Sequence, residues 1–195
     1  MSRAAPRTDH THVLLLRGIN VGRSNRVSNA RLAAWAEAAR ARDVTTHLAS
    51  GNVLFRLPDA DDDAGPAFLR AFRDAALADD GPDVPLILTT PAELRGALAM
   101  HDRLPWSGGE AKLTQLTVLA ESPRDGAAEA LAGLDHGSGR AAGPDRSALE
   151  GRFLWIRSPG RISDSPLTPA RLEKALGVTG TARNLATVRV LAGMA

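Results

Sequence analysis

A short apolar run at residues 13–16, Val-Leu-Leu-Leu, stops abruptly at Arg17-Gly18-Ile19-Asn20-Val21-Gly22-Arg23, and helical spacing takes over from about Asn29. A strand that passes through a glycine-punctuated loop into a helix must bury its apolar face under another element, so the chain is committed to a layered architecture of strands and helices. The same handover sets backbone N–H groups beside guanidinium charge, an arrangement suited to an anionic or strongly polar ligand.

The pattern continues through the first half. Leu32, Trp35, Ala36 and Ala39 recur at helical spacing, with Ser28 placed to cap the helix. Residues 44–48 and 53–57 read as strands on either side of a Ser50-Gly51-Asn52 turn. Residues 57–66 are acidic and carry Pro and Gly, so they read as a loop before the helical set Phe68, Leu69, Phe72 and Leu77. Residues 84–89 form the last strand of the set, which Pro85 directs to a sheet edge. The order is β-α-β-β-α-β, the ferredoxin-like split, and the fold class is α+β.

The second half carries related signals. Thr90-Pro91-Ala92-Glu93 is a capping box with proline at the first helical position. Residues 113–119 read as a strand, Ser122-Pro123 as the opening of a helix that ends near Leu134, residues 135–143 as a Gly-rich loop, and residues 153–157 as a strand after Glu150-Gly151. Thr168-Pro169 opens another helix, with Leu172, Ala175 and Leu176 inward and Gly177 as its stop. Thr181-Ala182-Arg183-Asn184 leads to a final helical set, Leu185, Val188 and Leu191. We therefore expect a flexible tail over residues 1–12, a ferredoxin-like lobe over 13–90, and a second α+β lobe over 91–195. A repeat of the first plan is one reading of that second lobe.

Topology brings the loops of the first lobe together. In this split the first and third strands are antiparallel neighbours, so the end of one lies beside the start of the other. Arg17, Gly18, Asn20 and Gly22 then converge with Ser50 and Asn52, offering a guanidinium, two amides and a hydroxyl to a carboxylate, phosphate or polyol. The same residues also fit a turn whose polar groups satisfy neighbouring backbone. Arg183 and Asn184 repeat the Arg-plus-amide pair before the last helix, where capping by Asn184 is the competing reading.

Catalytic residues do not declare themselves. His47 would be the natural general base, yet a single His on a short strand is more often a packed residue, and Ser50 has no activating partner at a recognisable spacing. His10 and His12 read as tail residues and His101 and His136 as loop residues, none with metal-ligand spacing. Asp59, Asp61, Asp62 and Asp63 read as a solvated loop. Residues 103–109 read as a loop whose Trp106 either packs on the core or forms a flap. No Walker-type or dinucleotide-binding glycine pattern is present, and we expect neither a metal nor a cofactor.

Charge and aromatic content restrict the partners. The 24 basic residues face 22 acidic ones, and the high pI of 9.9 reflects the absence of Cys and Tyr more than a basic excess. Near balance argues against a dedicated nucleic-acid binder. With 4 Phe, 3 Trp and no Tyr, surfaces for stacking bases are scarce. No uncharged run long enough to span a bilayer occurs and the first ten residues lack an apolar segment, so a cytoplasmic protein without a membrane partner is expected.

Leu15-Leu16-Arg17-Gly18-Ile19-Asn20-Val21-Gly22, Ser50-Gly51-Asn52-Val53 and Thr181-Ala182-Arg183-Asn184 resemble the three marker segments of a bacterial family, domain of unknown function 1697. The resemblance runs from Val13 to about Leu191 and implies a two-lobed α+β protein with a ferredoxin-like N-terminal half. It implies no reaction. Departures from the family's usual residues fall at Arg23, His47, Ala49, Ser165-Pro166 and Leu185, whereas Arg17, Asn20, Ser50, Asn52, Arg183 and Asn184 are kept. The expected function is binding of a small anionic or polar metabolite at the Arg17 and Ser50 loops, with Arg183 reaching in from the second lobe. An RNA-binding module and an interaction or dimerisation protein without a ligand are the alternatives.

Overall fold

The computed structural model describes residues 10–22, 25–58, 63–139 and 143–193. The chain divides into two compact units, Met1–Pro91 and Ala92–Ala195. The first contains β1 (His12–Leu16), α1 (Asn29–Ala38), β2 (Arg42–Thr46), β3 (Asn52–Arg56), α2 (Ala64–Ala78) and β4 (Leu86–Thr89). Its strands pair in the order β2-β3-β1-β4, all antiparallel, which is the ferredoxin-like arrangement.

The second unit repeats the plan between two added helices. After α3 (Pro91–Asp102) come β5 (Thr114–Leu119), α4 (Ala127–Ala132), β6 (Arg146–Glu150), β7 (Phe153–Arg157), α5 (Pro169–Leu176) and β8 (Gly180–Asn184), and α6 (Leu185–Leu191) closes the chain. Its sheet has the order β6-β7-β5-β8, the same permutation as the first. Among the described residues no helix is long and apolar enough to cross a membrane.

In the first unit, alternate residues of β1 and β3 (Leu14, Leu16, Val53 and Phe55) face the helices and join Leu32, Trp35, Phe68 and Phe72 in one core. Phe55 stacks on Phe68 at 4.3 Å between centroids, and Trp35 meets Phe72 edge-on at 5.9 Å. The helices are clasped at one point. Asp79, just past α2, accepts from Arg31 Nε (2.8 Å) and Trp35 Nε1 (2.9 Å) on α1.

Local signals explain most element ends. Ser28 accepts from Arg31 N, Thr168 accepts from Arg171 N, and Gly177 ends α5 at φ +73°. Where expectation and structure differ, the reasons are specific. The helix α2 begins at Ala64, inside the expected loop, because Pro66 falls in its first turn, where a missing N–H costs nothing. Conversely, Ser122-Pro123 does not open a helix; α4 starts at Ala127 behind Gly126, which is left-handed at φ +75°. Two strands went unread: β6, whose residues are half-exposed without clear alternation, and β8, whose five residues hold the Arg183 segment. His12 begins β1 and stacks on Phe55, and His101 lies on α3, fully buried against Trp155, so neither is the tail or loop residue expected. The acidic residues Asp59, Asp61 and Asp62 lie outside the described residues.

The Asp79 clasp makes stability pH-dependent in a defined direction. Hydrogen bonds from Arg31 and then Trp35 hold its carboxyl below the ordinary 3.8. Its contribution is therefore complete above the unfolded value and is lost as pH falls through the lower folded one. Asp79→Asn is expected to lower the urea midpoint at pH 7, with the gap to wild type narrowing progressively as pH falls below 3.8.

Candidate functional site

The expected convergence occurs within the first unit. Leu15 pairs with Asn52 in the β1–β3 register, and Leu16 N donates to Gly51 O at 2.9 Å. The loop leaving β1 and the turn entering β3 therefore share one corner, with Arg17, Gly18, Asn20, Gly22, Ser50 and Asn52 together. Arg23 lies outside the described residues.

The corner is cross-braced by the two expected amides. Asn20 sits in the left-handed region at φ +54°, and its Nδ2 donates to Val27 O (2.9 Å) and Ala49 O (2.6 Å). Its Oδ1 accepts from Val27 N at 2.9 Å, and its own N–H donates to Asn25 O. Asn25 returns the support by donating to Gly18 O. Asn52, fully buried, donates through Nδ2 to His47 O (2.8 Å) and Ser50 Oγ (3.0 Å). Both N–H bonds of each amide are thus spent on the protein, and neither has a donor left for a ligand. Asn25, Val27 and Ala49 were not legible as partners; the only prior signal was that Asn tolerates left-handed backbone.

Gly51 makes the close approach possible. It adopts φ +76°, and a Cβ there would lie 2.9 Å from both Leu16 Cβ and Ile19 Cδ1. Gly18 (φ +70°) and Gly22 (φ +60°) are also left-handed, but a Cβ at either would meet open space. At those two positions glycine answers to backbone conformation alone.

The outward-facing groups are backbone, charge and two apolar side chains. Among the described residues, the N–H groups of Gly18, Val21 and Gly22 have no hydrogen-bond partner. Arg17 is half-buried, with its backbone N–H on Pro85 O, and Arg26 is exposed. No Asp or Glu occurs in residues 17–28 or 44–58. Val21 is 68% exposed and Leu48 54% exposed, on either side of the Asn20–Ala49 bond. Leu48 is held at φ +57°, which costs a leucine about 1–2 kcal/mol.

The other expected residues lie in the second unit. Asn184 Oδ1 accepts from Thr187 N at 2.8 Å and caps α6. Arg183, on β8 opposite Leu116, is 8% exposed and donates to Thr181 Oγ1 (2.8 Å) and Ala182 O (2.9 Å). Burial pushes its pKa down to about 10. Trp106 is half-buried, edge-on to His101, and its carbonyl accepts from Arg157, so its segment is anchored. Among the described residues no cluster of three or more His, Asp or Glu could hold a metal ion.

The family model for DUF1697, proteins of unknown function, matches residues 10–155, and the chain belongs to that family. The conserved bacterial protein SP0830 from Streptococcus pneumoniae has a similar structure, with a TM-score of 0.68. The two are 20% identical, over 95% of this chain and 98% of that one, a likeness of fold alone. Among curated proteins none matches.

The bracing gives a ranked stability prediction, checked by urea unfolding. Gly51→Ala combines left-handed strain with overpacking against Leu16 and Ile19 and should cost about 3 kcal/mol. Gly18→Ala should cost about 1 kcal/mol, from backbone strain only. Asn20→Ala removes three hydrogen bonds and should cost about 2–4 kcal/mol. Equal losses at Gly18 and Gly51 would contradict the steric account.

Proposed function

We propose that this DUF1697 member is a binding protein whose corner between β1 and β3 takes a small anionic ligand. The observation that carries the reading is the set of N–H groups at Gly18, Val21 and Gly22, unpartnered among the described residues, in a loop with three arginines and no acidic residue. Gly18, Asn20 and Gly22 are all left-handed, and loop N–H groups freed by such backbone favour phosphate and carboxylate oxygens. Arg17 supplies the long-range charge. Asn20 and Asn52 hold the loops in place, so the ligand meets a corner that needs little reordering on binding. No catalytic role is assigned to any residue.

Of the alternatives, RNA binding through the sheet draws no support. Phe55 is committed to the core, and the residues alternating to the opposite face, Val13, Leu15, Leu54 and Ile87, are aliphatic and give no stacking surface. Association through the edge strand β2 is disfavoured by its bulge between Arg42 and Thr45. A protein partner docking on the corner is favoured by one observation, the exposed pair Val21 and Leu48, the latter strained without any packing return.

Thermal shift and calorimetry with inorganic phosphate, citrate and nucleoside phosphates separate these readings. At least one anion should raise the wild-type melting temperature, and Arg17→Ala should weaken its binding about tenfold or more, the loss of one charge-assisted contact. If no anion stabilises the wild type, the reading fails. Leu48→Asn should relieve strain and raise stability by about 1 kcal/mol. Under the docking alternative it would also abolish any concentration-dependent mass seen by light scattering.

A further inference from the structure

We propose that the second unit carries a separate site for a small, largely apolar molecule with a hydrogen-bond-donating head group, held between its sheet and α5. The space is a cavity of about 260 Å³. Leu119 and Ile156 form part of its floor, Leu172 and Leu176 its roof, and among the described residues no aromatic lines it.

The cavity arises from how the two units fill one plan. In the first unit the corresponding layer is occupied by Trp35, Phe55, Phe68 and Phe72, beneath helices of 10 and 15 residues. In the second unit, α4 and α5 have only 6 and 8 residues and present Ala and Leu side chains to a sheet of equal strand number. Shorter helices with smaller side chains leave the sheet incompletely covered.

The polar groups in this space point to the ligand's chemistry. Gln115 and Thr117 project from β5 into the cavity, and among the described residues neither side chain has a hydrogen-bond partner, although Thr117 is only 8% exposed. Glu173, from α5, is the one charged residue in the lining among the described residues, and its carboxylate accepts from Thr179 Oγ1. With no Lys, Arg or His in its lining among the described residues, the cavity disfavours carboxylates and phosphates and suits a primary amine or an alcohol. The rim is firm: Ser165 Oγ donates to Asp145 and accepts from Leu167 N. Ala182, on the edge strand β8, is an exposed residue of the lining. A dry apolar cavity of about 150 Å³ takes a benzene-sized molecule, so this one suits an alkyl chain of about six to eight carbons.

The test titrates the full chain at pH 7 with n-alkylamines, n-alkanols and n-alkanoates from butyl to decyl, read by amide chemical shifts. Hexylamine and hexanol should move the signals of Gln115, Thr117 and Ala182. Affinity should rise about fourfold per methylene and then stop rising once the cavity is full, near six to eight carbons. Hexanoate should bind roughly tenfold more weakly than hexanol. Ala182→Trp places a large side chain at an exposed position of the lining, and should abolish binding without lowering the melting temperature. Glu173→Gln should bring hexylamine down to the level of hexanol. Affinity that climbs through decyl without a break, binding unaffected by Ala182→Trp, or shifts confined to other residues would overturn the site. Hexanoate binding as tightly as hexylamine would overturn the head-group assignment. Arg17→Ala should leave every one of these titrations unchanged, which separates this site from the corner.

Discussion

The close approach of Gly51 to Leu16 and Ile19 is the contact on which the first unit's corner is built. A backbone N–H, Leu16, meets a backbone carbonyl, Gly51, at the end of the β1–β3 ladder, and only a residue without a side chain fits between Leu16 and Ile19 at that φ. Once this contact is made, Asn20 reaches Ala49 across the two loops, and Asn52 closes the turn from below. Everything outward-facing there, from the loop N–H groups to Val21 and Leu48, takes its position from that brace. Asn20 and Asn52, two polar side chains that look like ligand contacts in a linear sequence, are struts of that brace.

The two units show how one topology yields different interiors. Strand order is identical, so the difference lies in helix length and side-chain volume. Aromatic residues close the first core, whereas the second leaves a space with Gln115 and Thr117 on its floor, two polar side chains without partners among the described residues. A bound donor or acceptor would supply the partner that neither side chain has among the described residues. Elsewhere the second unit spends its aromatic and charged groups on internal contacts: Trp155 Nε1 donates to Ala97 O, and Arg95 reaches the carbonyl of Ala192 beyond α6.

Much of this was readable residue by residue. Ser28, Thr168, Gly177 and Asn184 mark helix ends because capping depends on a residue and its neighbours three or four positions away. The β1–β3 neighbourhood was also legible, since the β-α-β-β-α-β order leaves few permitted topologies. Pro66 misled because a proline is tolerated in a first helical turn as readily as in a loop. The strand β6 gave no signal because its half-exposed residues lack a clean period of two. His101 was hidden because its burial comes from Trp155, more than fifty positions away.

By itself the sequence determined the order of elements in the first unit, the α+β class and the meeting of the Arg17 and Ser50 loops, all of which stem from local periodicity and the limited set of sheet topologies. Only the tertiary structure decided what each polar group in the corner does, because the partners of Asn20 and Asn52 are backbone atoms brought near by folding. It also decided where space remains. A cavity depends on the summed volumes of side chains distant in sequence, and no local pattern of residues encodes that sum.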